Sequence, residues 1–397
     1  MMKRTVFISI VIALFLWSCT EKQGMSDYGQ AKYTINLDSI ESTKTPLKLS
    51  TIFKSIRTII LEDHEYAVLG QINEIQVFDN NIFVLDKRKA KKLFVYDMNG
   101  KYLREIGSQG QGPGEYSYYL SDFCIDTLKR QIYLLDPPRV HVYNWEGKHI
   151  KSIQIKTNEF GCQYITFCNN RLYIAITSWS SSNPGNLILE LNPETGEQKE
   201  YLDANVYNCG WNGDEFTPSN FFIDKLGGTP KFKALYMNSF MKIDKDSIYP
   251  YLTVTHKEWV RKSDILSQEK LRELDKIQMN IIDEKRRVFI RRHNYVETNR
   301  YICFQDMPPI LIDKQTGEAK RYSYLENDLK NKENVPSTPP YIAFYNSNKA
   351  YEYLEEECTN LFVEHLKTGK LVDDLDKKDE LLKIKDEYFI LFEYEFR

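Results

Sequence analysis

Between residues 72 and 202 a strand-and-turn pattern repeats, its glycine turns falling 47 and 49 residues apart, and this repeat restricts the fold more than any other feature. The segment Ile82-Phe83-Val84-Leu85-Asp86 returns as Ile132-Tyr133-Leu134-Leu135-Asp136 and again as Leu172-Tyr173-Ile174-Ala175-Ile176. Each copy follows a turn-forming stretch: Asp79-Asn80-Asn81, Leu128-Lys129-Arg130 and Asn169-Asn170-Arg171. A second apolar element follows each copy. These are Leu93-Phe94-Val95-Tyr96-Asp97, Val140-His141-Val142-Tyr143-Asn144 and Leu187-Ile188-Leu189-Glu190-Leu191, which lead to Gly100, Gly147 and Gly196. Glycine reaches positive φ without steric cost, so these places read as hairpin turns. Each unit is then strand, turn, strand, linker, strand, glycine turn, strand. Four antiparallel strands in about 47–50 residues is the size and shape of a propeller blade. A single blade cannot bury both of its faces, so several must stack in a ring.

The rest of the chain carries weaker copies. Phe232–Tyr236, Phe240–Ile243 and Ile248–Val254 read as strands, as do Arg287–Ile290, Arg300–Phe304 and Ile310–Asp313, the last leading to Thr316-Gly317 and another strand. Tyr341–Tyr345 and Tyr388–Tyr394 supply more. With 27 Tyr and 21 Phe the composition favours strands over helices. Two stretches break the pattern. Residues 263–282 place Ile265, Leu266, Leu271, Leu274 and Ile277 at helical spacing behind Ser263 as N-cap. Residues 349–384 do the same with Leu354, Cys358, Leu361, Phe362 and His365, although Leu366-Lys367-Thr368-Gly369-Lys370 also resembles a blade turn. Setting both aside as helical insertions leaves chain for about six blades of ~48 residues. An open ring would expose sticky edges. The strand Ile56–Glu62, which resembles the last strand of a blade, is therefore expected to complete the blade built by strand 388–396.

The chain begins Met1-Met2-Lys3-Arg4 and then runs from Val6 to Trp17 with almost nothing polar. A membrane-spanning helix needs roughly 20 apolar residues, so this run reads as a signal peptide over 1–18. Its end, Leu16-Trp17-Ser18-Cys19, resembles the lipobox of bacterial lipoproteins. The resemblance implies that Cys19 is lipidated and becomes the first mature residue, anchoring the protein in a membrane of the cell envelope, outer membrane expected. The alternative is an ordinary secretory signal with Cys19 incidental. Residues 19–32 are polar, contain Gly24 and Gly29, and read as a flexible tether ahead of a propeller over 33–397. Losing Lys3 and Arg4 with the leader takes the formal charge from −3 to −5. A mildly acidic chain with no concentrated basic stripe is a poor nucleic-acid binder. Six cysteines remain after Cys19, too few in so long a chain for a disulfide framework, and they read as buried thiols.

The blade pattern, together with Ile106-Gly107-Ser108-Gln109-Gly110-Gln111-Gly112-Pro113-Gly114-Glu115-Tyr116, resembles the six-bladed, NHL-like propeller lipoproteins of Gram-negative bacteria. The Gly-x-Gly-Pro-Gly-Glu-aromatic piece after the first blade is the most specific mark, and Lys385-Asp386-Glu387-Tyr388 entering a final aliphatic strand is another. The resemblance covers most of residues 50–397 and is strongest over 70–202. It implies fold and location and little about activity, because propellers host unrelated functions.

The glycine-rich run 107–116 is the candidate ligand site, with Gln109, Gly110, Gly112, Glu115 and Tyr116 as its contact residues. A phosphate cradle is disfavoured there, since no Lys-Ser/Thr and no helix follow and Pro113 lacks a donor. The plainer reading is a connection between blades, with glycines at tight turns and Glu115-Tyr116 locking it down. His64, His141, His149, His256, His293 and His365 are scattered, without metal-ligand spacing. Asp97, Asp122, Asp126 and Asp136 could converge at the ring axis and hold Ca²⁺ through oxygen ligands, although no Asp-x-Asp-x-Asp-Gly loop exists. Carboxylates at blade turns also simply cap those turns. There is no Gly-x-Ser-x-Gly elbow. Lys285-Arg286-Arg287 with Arg291-Arg292-His293 is the densest basic run, readable as a solvated face or as a contact for acidic glycans or an acidic partner. Trp145, Trp179, Trp211 and Trp259 are core residues or, if exposed, sugar-stacking platforms. No catalytic or metal-ligating residue is assigned. Two functions fit: a non-enzymatic binding or scaffold propeller for a protein, peptide or glycan, and a propeller hydrolase or lyase acting on glycans or lactones at the axis.

Overall fold

The repeated pattern becomes six blades around one axis. The computed structural model describes residues 30–397 except 66–67, 118–119, 157–159, 179–182, 214–220, 224, 227–228, 245–246, 266–284, 291–294, 305–307, 333–341, 347, 355 and 385–387. Cys19, the leader and most of the tether lie outside the described residues.

Blade 1 is Glu74–Phe78, Asn81–Asp86, Lys92–Asp97 and Tyr102–Ile106, hydrogen-bonded in that order. Blade 2 is Asp122–Asp126, Gln131–Asp136, Arg139–Asn144 and His149–Gln154. Blade 3 is Phe160–Cys168, Arg171–Ser178, Asn186–Leu191 and Gln198–Asp203. Blade 4 is Phe221–Ile223, Lys231–Lys233, Ser239–Asp244 and Ser247–Thr255. Blade 5 is Tyr295–Glu297, Tyr301–Phe304, Ile310–Asp313 and Ala319–Arg321. The first strands of blades 2 and 3, of blades 3 and 4 and of blades 6 and 1 meet one another, so the first strands line the axis and the fourth form the rim.

Blade 6 joins the two ends of the chain, as the sequence leads one to expect. Ile342–Tyr345 pairs with Lys349–Tyr353, which pairs with Ile390–Phe396, which pairs in turn with Phe53–Ile60 at the rim. The last register is antiparallel, with Phe392 opposite Thr58 and Tyr394 opposite Ile56. Ahead of this latch the chain forms a girdle. Tyr33–Asn36 adds a fifth, parallel strand to the rim of blade 4, and Glu41–Ser42 does the same on blade 5. Leu47–Lys48 then pairs with Leu325–Glu326.

The apolar runs of the repeat are continuous because both faces of a blade are buried between neighbours. In blade 1, Ile82, Val84, Phe94 and Tyr96 pack toward Ile59, Tyr351 and Leu391 of blade 6. Phe83, Leu85, Leu93 and Val95 pack the other way, toward Phe123, Ile132 and Leu134 of blade 2. The aspartate that ends the repeated segment latches the incoming connection. Asp86 accepts the Gly70 and Gln71 amides at 2.9 Å each, and Asp136 accepts the Ser117 amide at 2.9 Å and its hydroxyl. The third copy has Ile176 at this position, and there a backbone bond from Ser178 to the Asn212 carbonyl at 2.8 Å does the work.

Three expectations change. Lys349–Tyr353 is a strand, since its backbone pairs with Ile390–Phe396; the helix in this stretch is Glu356–Lys367, with a short one at Lys378–Leu381. Lys367-Thr368-Gly369 ends that helix, with Thr368 and Lys370 donating to the Glu364 and His365 carbonyls and Gly369 at φ +71°. Arg287–Ile290 is no strand: the Val288 amide and carbonyl bond the Glu258–Val260 connection instead. Of the expected helix 263–282, only a 3-10 turn at Lys262–Asp264 is described, and the remainder from 266 lies outside the described residues.

Gly100 sits at φ +88°, and a Cβ there would run into the Ile60 carbonyl of blade 6. The left-handed backbone alone costs a non-glycine residue about 1–2 kcal/mol. Gly100→Ala is expected to destabilise the ring by more than about 2 kcal/mol, read as a shift in chemical denaturation midpoint with unchanged slope. A midpoint equal to wild type would show that this turn carries no close packing.

Candidate functional site

The inner strands of blades 1 and 2 begin with carboxylates, Glu74 and Asp122. Lys225 follows the inner strand of blade 4, which lies opposite blade 1 in a ring of six. Its ammonium crosses the axis to stand 2.7 Å from Asp122 Oδ2 and 3.3 Å from Glu74 Oε1. The Ile165 amide of blade 3 donates to the same Asp122 oxygen at 2.8 Å, and Gln76 Nε2 donates to the Phe123 carbonyl at 2.7 Å. Leu226, the next residue, packs against the apolar layers on both sides of blade 1. Burial pushes the Asp122 carboxyl up from its ordinary value, and the Lys225 charge opposes that rise. Charged groups therefore do converge at the axis, but they neutralise one another and a lysine from the opposite blade fills the space between them.

The four aspartates do not form one site. Asp97 accepts the Asn99 and Lys101 amides, and Asp126 the Leu128 and Lys129 amides, each capping its own turn. Asp136 is the latch described above and Asp122 faces Lys225. Among the described residues no three His, Cys, Asp or Glu side chains gather where they could hold a metal.

The run 107–116 closes on itself. Gly110 N donates to the Tyr116 carbonyl and Tyr116 N to the Ser108 carbonyl, both at 3.0 Å. Gly112 N donates to the Glu115 carboxylate at 2.7 Å, and a Cβ on Gly110 would collide with that carboxylate. Tyr116 is fully buried, whereas Gln109 and Gly112 are exposed. Beyond the loop, Tyr143 donates to the Gly114 carbonyl at 2.8 Å. His141 bridges Asp136 at 3.2 Å and Ser152 at 2.8 Å, and His149 reaches Ser152 at 2.9 Å. Sequence reading had no signal for this chain of contacts, because Ser152 is brought to His141 only by cross-strand register.

A cleft of about 750 Å³ opens where the connection leaving blade 6 meets the outer half of blade 1. Phe94 and Tyr102 line it, with Lys89, Lys92, Glu105 and the exposed Val68. Lys92 and Glu105 pair at 2.7 Å, and His64 stacks on Tyr102 with ring centroids 5.0 Å apart. Nothing in the linear order marks these residues, since they come from a connection and three different strand positions.

Elsewhere buried charge serves the ring. Burial would raise Glu297, but Lys231, Lys314 and the hydroxyls of Tyr251 and Tyr295 hold its carboxyl down at about 2. Of the basic run, Arg287 is paired with Glu258 and Asp264, and Lys285 with Asp264, while Arg291-Arg292-His293 lie outside the described residues. Trp211 and Trp259 are buried, Trp145 is half-buried under Arg130, and Trp179 lies outside the described residues. The cysteines described after residue 30 are all unpaired, with Cys358 exposed.

A family described as a domain of unknown function, DUF4934, matches residues 32–387. The chain belongs to the DUF4934 family. No protein of curated function matches it. This DUF4934 chain is similar in structure to a protein from Bacteroides fragilis described as exported, with TM-score 0.63 and 17% identity over 92% of this chain and 99% of that one. It is also similar to a member of the DUF4221 family from Bacteroides vulgatus, with TM-score 0.47 and 11% identity over 87% of this chain and 97% of that one. The first likeness shows that the two chains share a fold.

Proposed function

We propose that this DUF4934 protein is an envelope-anchored lipoprotein of the NHL-like propeller type, lipidated at Cys19, whose ring binds a protein, peptide or glycan without catalysis. The blade 1 cleft carries the reading. It combines an aromatic wall with a few placed charges, the composition that ligand sites use for contact area and orientation. The axis, where a propeller hydrolase or lyase would work, is filled by Lys225 and Leu226. Gln109 and Gly112 add an exposed lip on the other side of blade 1, with Glu115, Gly110 and Tyr116 holding that lip in shape. The solved relative described as exported supports a place at the envelope.

Val68 is 68% exposed at the cleft wall, so an arginine there fills the opening without disturbing the core. The mature chain and its Val68→Arg variant would be compared on arrays of envelope glycans and extended peptides. The expected result is a ligand held by the wild type and weakened at least about tenfold by the arginine, the scale of one lost well-packed contact. A ligand bound equally by both proteins would place the site elsewhere and sink the cleft assignment.

A further inference from the structure

Four exposed basic residues meet at the connection between blades 4 and 5. Lys257, Arg261 and Lys262 lie on the segment leaving blade 4, and Arg286 on the segment approaching blade 5. The Val288 amide bonds the Glu258 carbonyl at 2.8 Å and the Val260 amide bonds the Val288 carbonyl at 3.1 Å, which holds the two segments side by side. The four charges are not neutralised among the described residues. Arg261 donates to the Lys257 carbonyl and Lys262 to Asn205 Oδ1, each at 3.2 Å, and both acceptors are uncharged. The carboxylates at hand are already engaged. Asp264 is buried against Arg287 at 2.9 Å and Lys285 at 3.3 Å, Glu258 pairs with Arg287 at 2.5 Å, and Asp38 faces His256 Nε2 at 3.4 Å and accepts the Lys257 amide at 2.7 Å. A locally cationic surface thus stands on a chain of formal charge −3.

We propose that this surface seats the propeller on the phosphate-bearing headgroups of an anionic lipid bilayer. The occupant follows from the shape of the patch and from what runs beside it. The four cations are exposed on two segments that the Glu258–Val260 and Val288 backbone bonds hold side by side. A small sugar or anion needs convergent donors, whereas a headgroup layer offers phosphates across a plane. The N-terminal girdle passes alongside through Asp38, and the segment from Cys19 to Lys32, ahead of the strand fixed on blade 4, reaches up to roughly 45 Å when extended. The proposal rests on the lipid anchor only for keeping a bilayer within that reach.

The test uses the mature chain with Cys19→Ala, so that no acyl chain contributes. It is mixed with vesicles of phosphatidylcholine alone or with added phosphatidylglycerol and sedimented. Each cation is worth about fivefold in partitioning. Binding is expected only to the phosphatidylglycerol vesicles, to fall with added salt, and to drop to the phosphatidylcholine level in the variant K257Q/R261Q/K262Q/R286Q, which melts as the parent does. Equal binding to both vesicle types, or full binding by the variant, overturns the proposal. Retention on heparin without vesicle binding also overturns it and puts an acidic glycan in the lipid's place. Fractionating cells that carry Cys19→Ala tests the anchor separately, so loss of the anchor reading leaves the vesicle result standing.

Discussion

Deleting residues 385–397 is expected to abolish cooperative folding of the ring. The deletion removes Ile390–Phe396, the strand that stands between Lys349–Tyr353 and Phe53–Ile60 in blade 6. Ile390, Leu391, Phe392 and Tyr394 are completely buried. Burying side chains of this size contributes about 1.5–3 kcal/mol each, so the loss is roughly 8 kcal/mol, within the whole stability of an ordinary domain. The strand at the other end of the chain then has no partner, and blades 1 and 5 face an open gap. Circular dichroism and calorimetry would show a broad, low transition with bound hydrophobic dye. A truncated protein that melts as sharply and as high as the parent would show that the two-ended blade does not close the ring.

Lys225→Met is expected to cost about 3–5 kcal/mol, because it removes the buried cation that pairs with both Glu74 and Asp122. The pH dependence gives the sign. Burial holds the Asp122 carboxyl above its ordinary value, so a proton on it favours the folded state. For a raised carboxyl the contribution is fully present below the unfolded value and is lost as pH rises through the folded one. With Lys225 gone only the Ile165 amide still opposes the rise, so the variant should be more stable in acid than at neutral pH relative to its parent. The triple change Lys225→Met, Glu74→Gln, Asp122→Asn should recover most of the loss, since the uncompensated charges leave together. Denaturation midpoints across pH measure both. A single variant as stable as the parent at neutral pH would mean that the axis is wet and open, which would return the axis to consideration as a working site.

Much of the architecture is legible in the linear order because it is made of local, repeated chemistry. Ile82–Asp86 and Ile132–Asp136 read as strands since four apolar residues in a row suit a strand buried on both faces, and Gly100, Gly147 and Gly196 mark turns that need positive φ. The latch between Ile56 and the last strand is legible for a different reason: a ring must close, and only the chain ends remain to close it. The errors arise where local pattern and tertiary demand diverge. Lys349–Tyr353 adjoins the helically spaced residues that begin at Leu354, but the open edge of Ile390–Phe396 claims its backbone. Val288 lies in a run of strand-forming residues, yet its hydrogen bonds are taken by the Glu258–Val260 connection.

The candidate sites were far less legible. Gln109 to Tyr116 stood out because glycines are visible in a sequence, and the structure uses most of them to fold the loop onto Glu115. The blade 1 cleft, the His141–Ser152 contact and the cationic surface at Lys257 and Arg286 have no linear signature. Sequence alone determined the blade, its repeat and the need for a closed ring, because period, turn residues and paired apolar faces act over a few residues. Only the tertiary structure decided that Lys225 fills the axis, that the first strands of the chain form a girdle, and which charges stay unpaired. Those outcomes depend on groups more than a hundred residues apart meeting across the ring, as Lys225 and Asp122 do, and side-chain type says nothing about such distances.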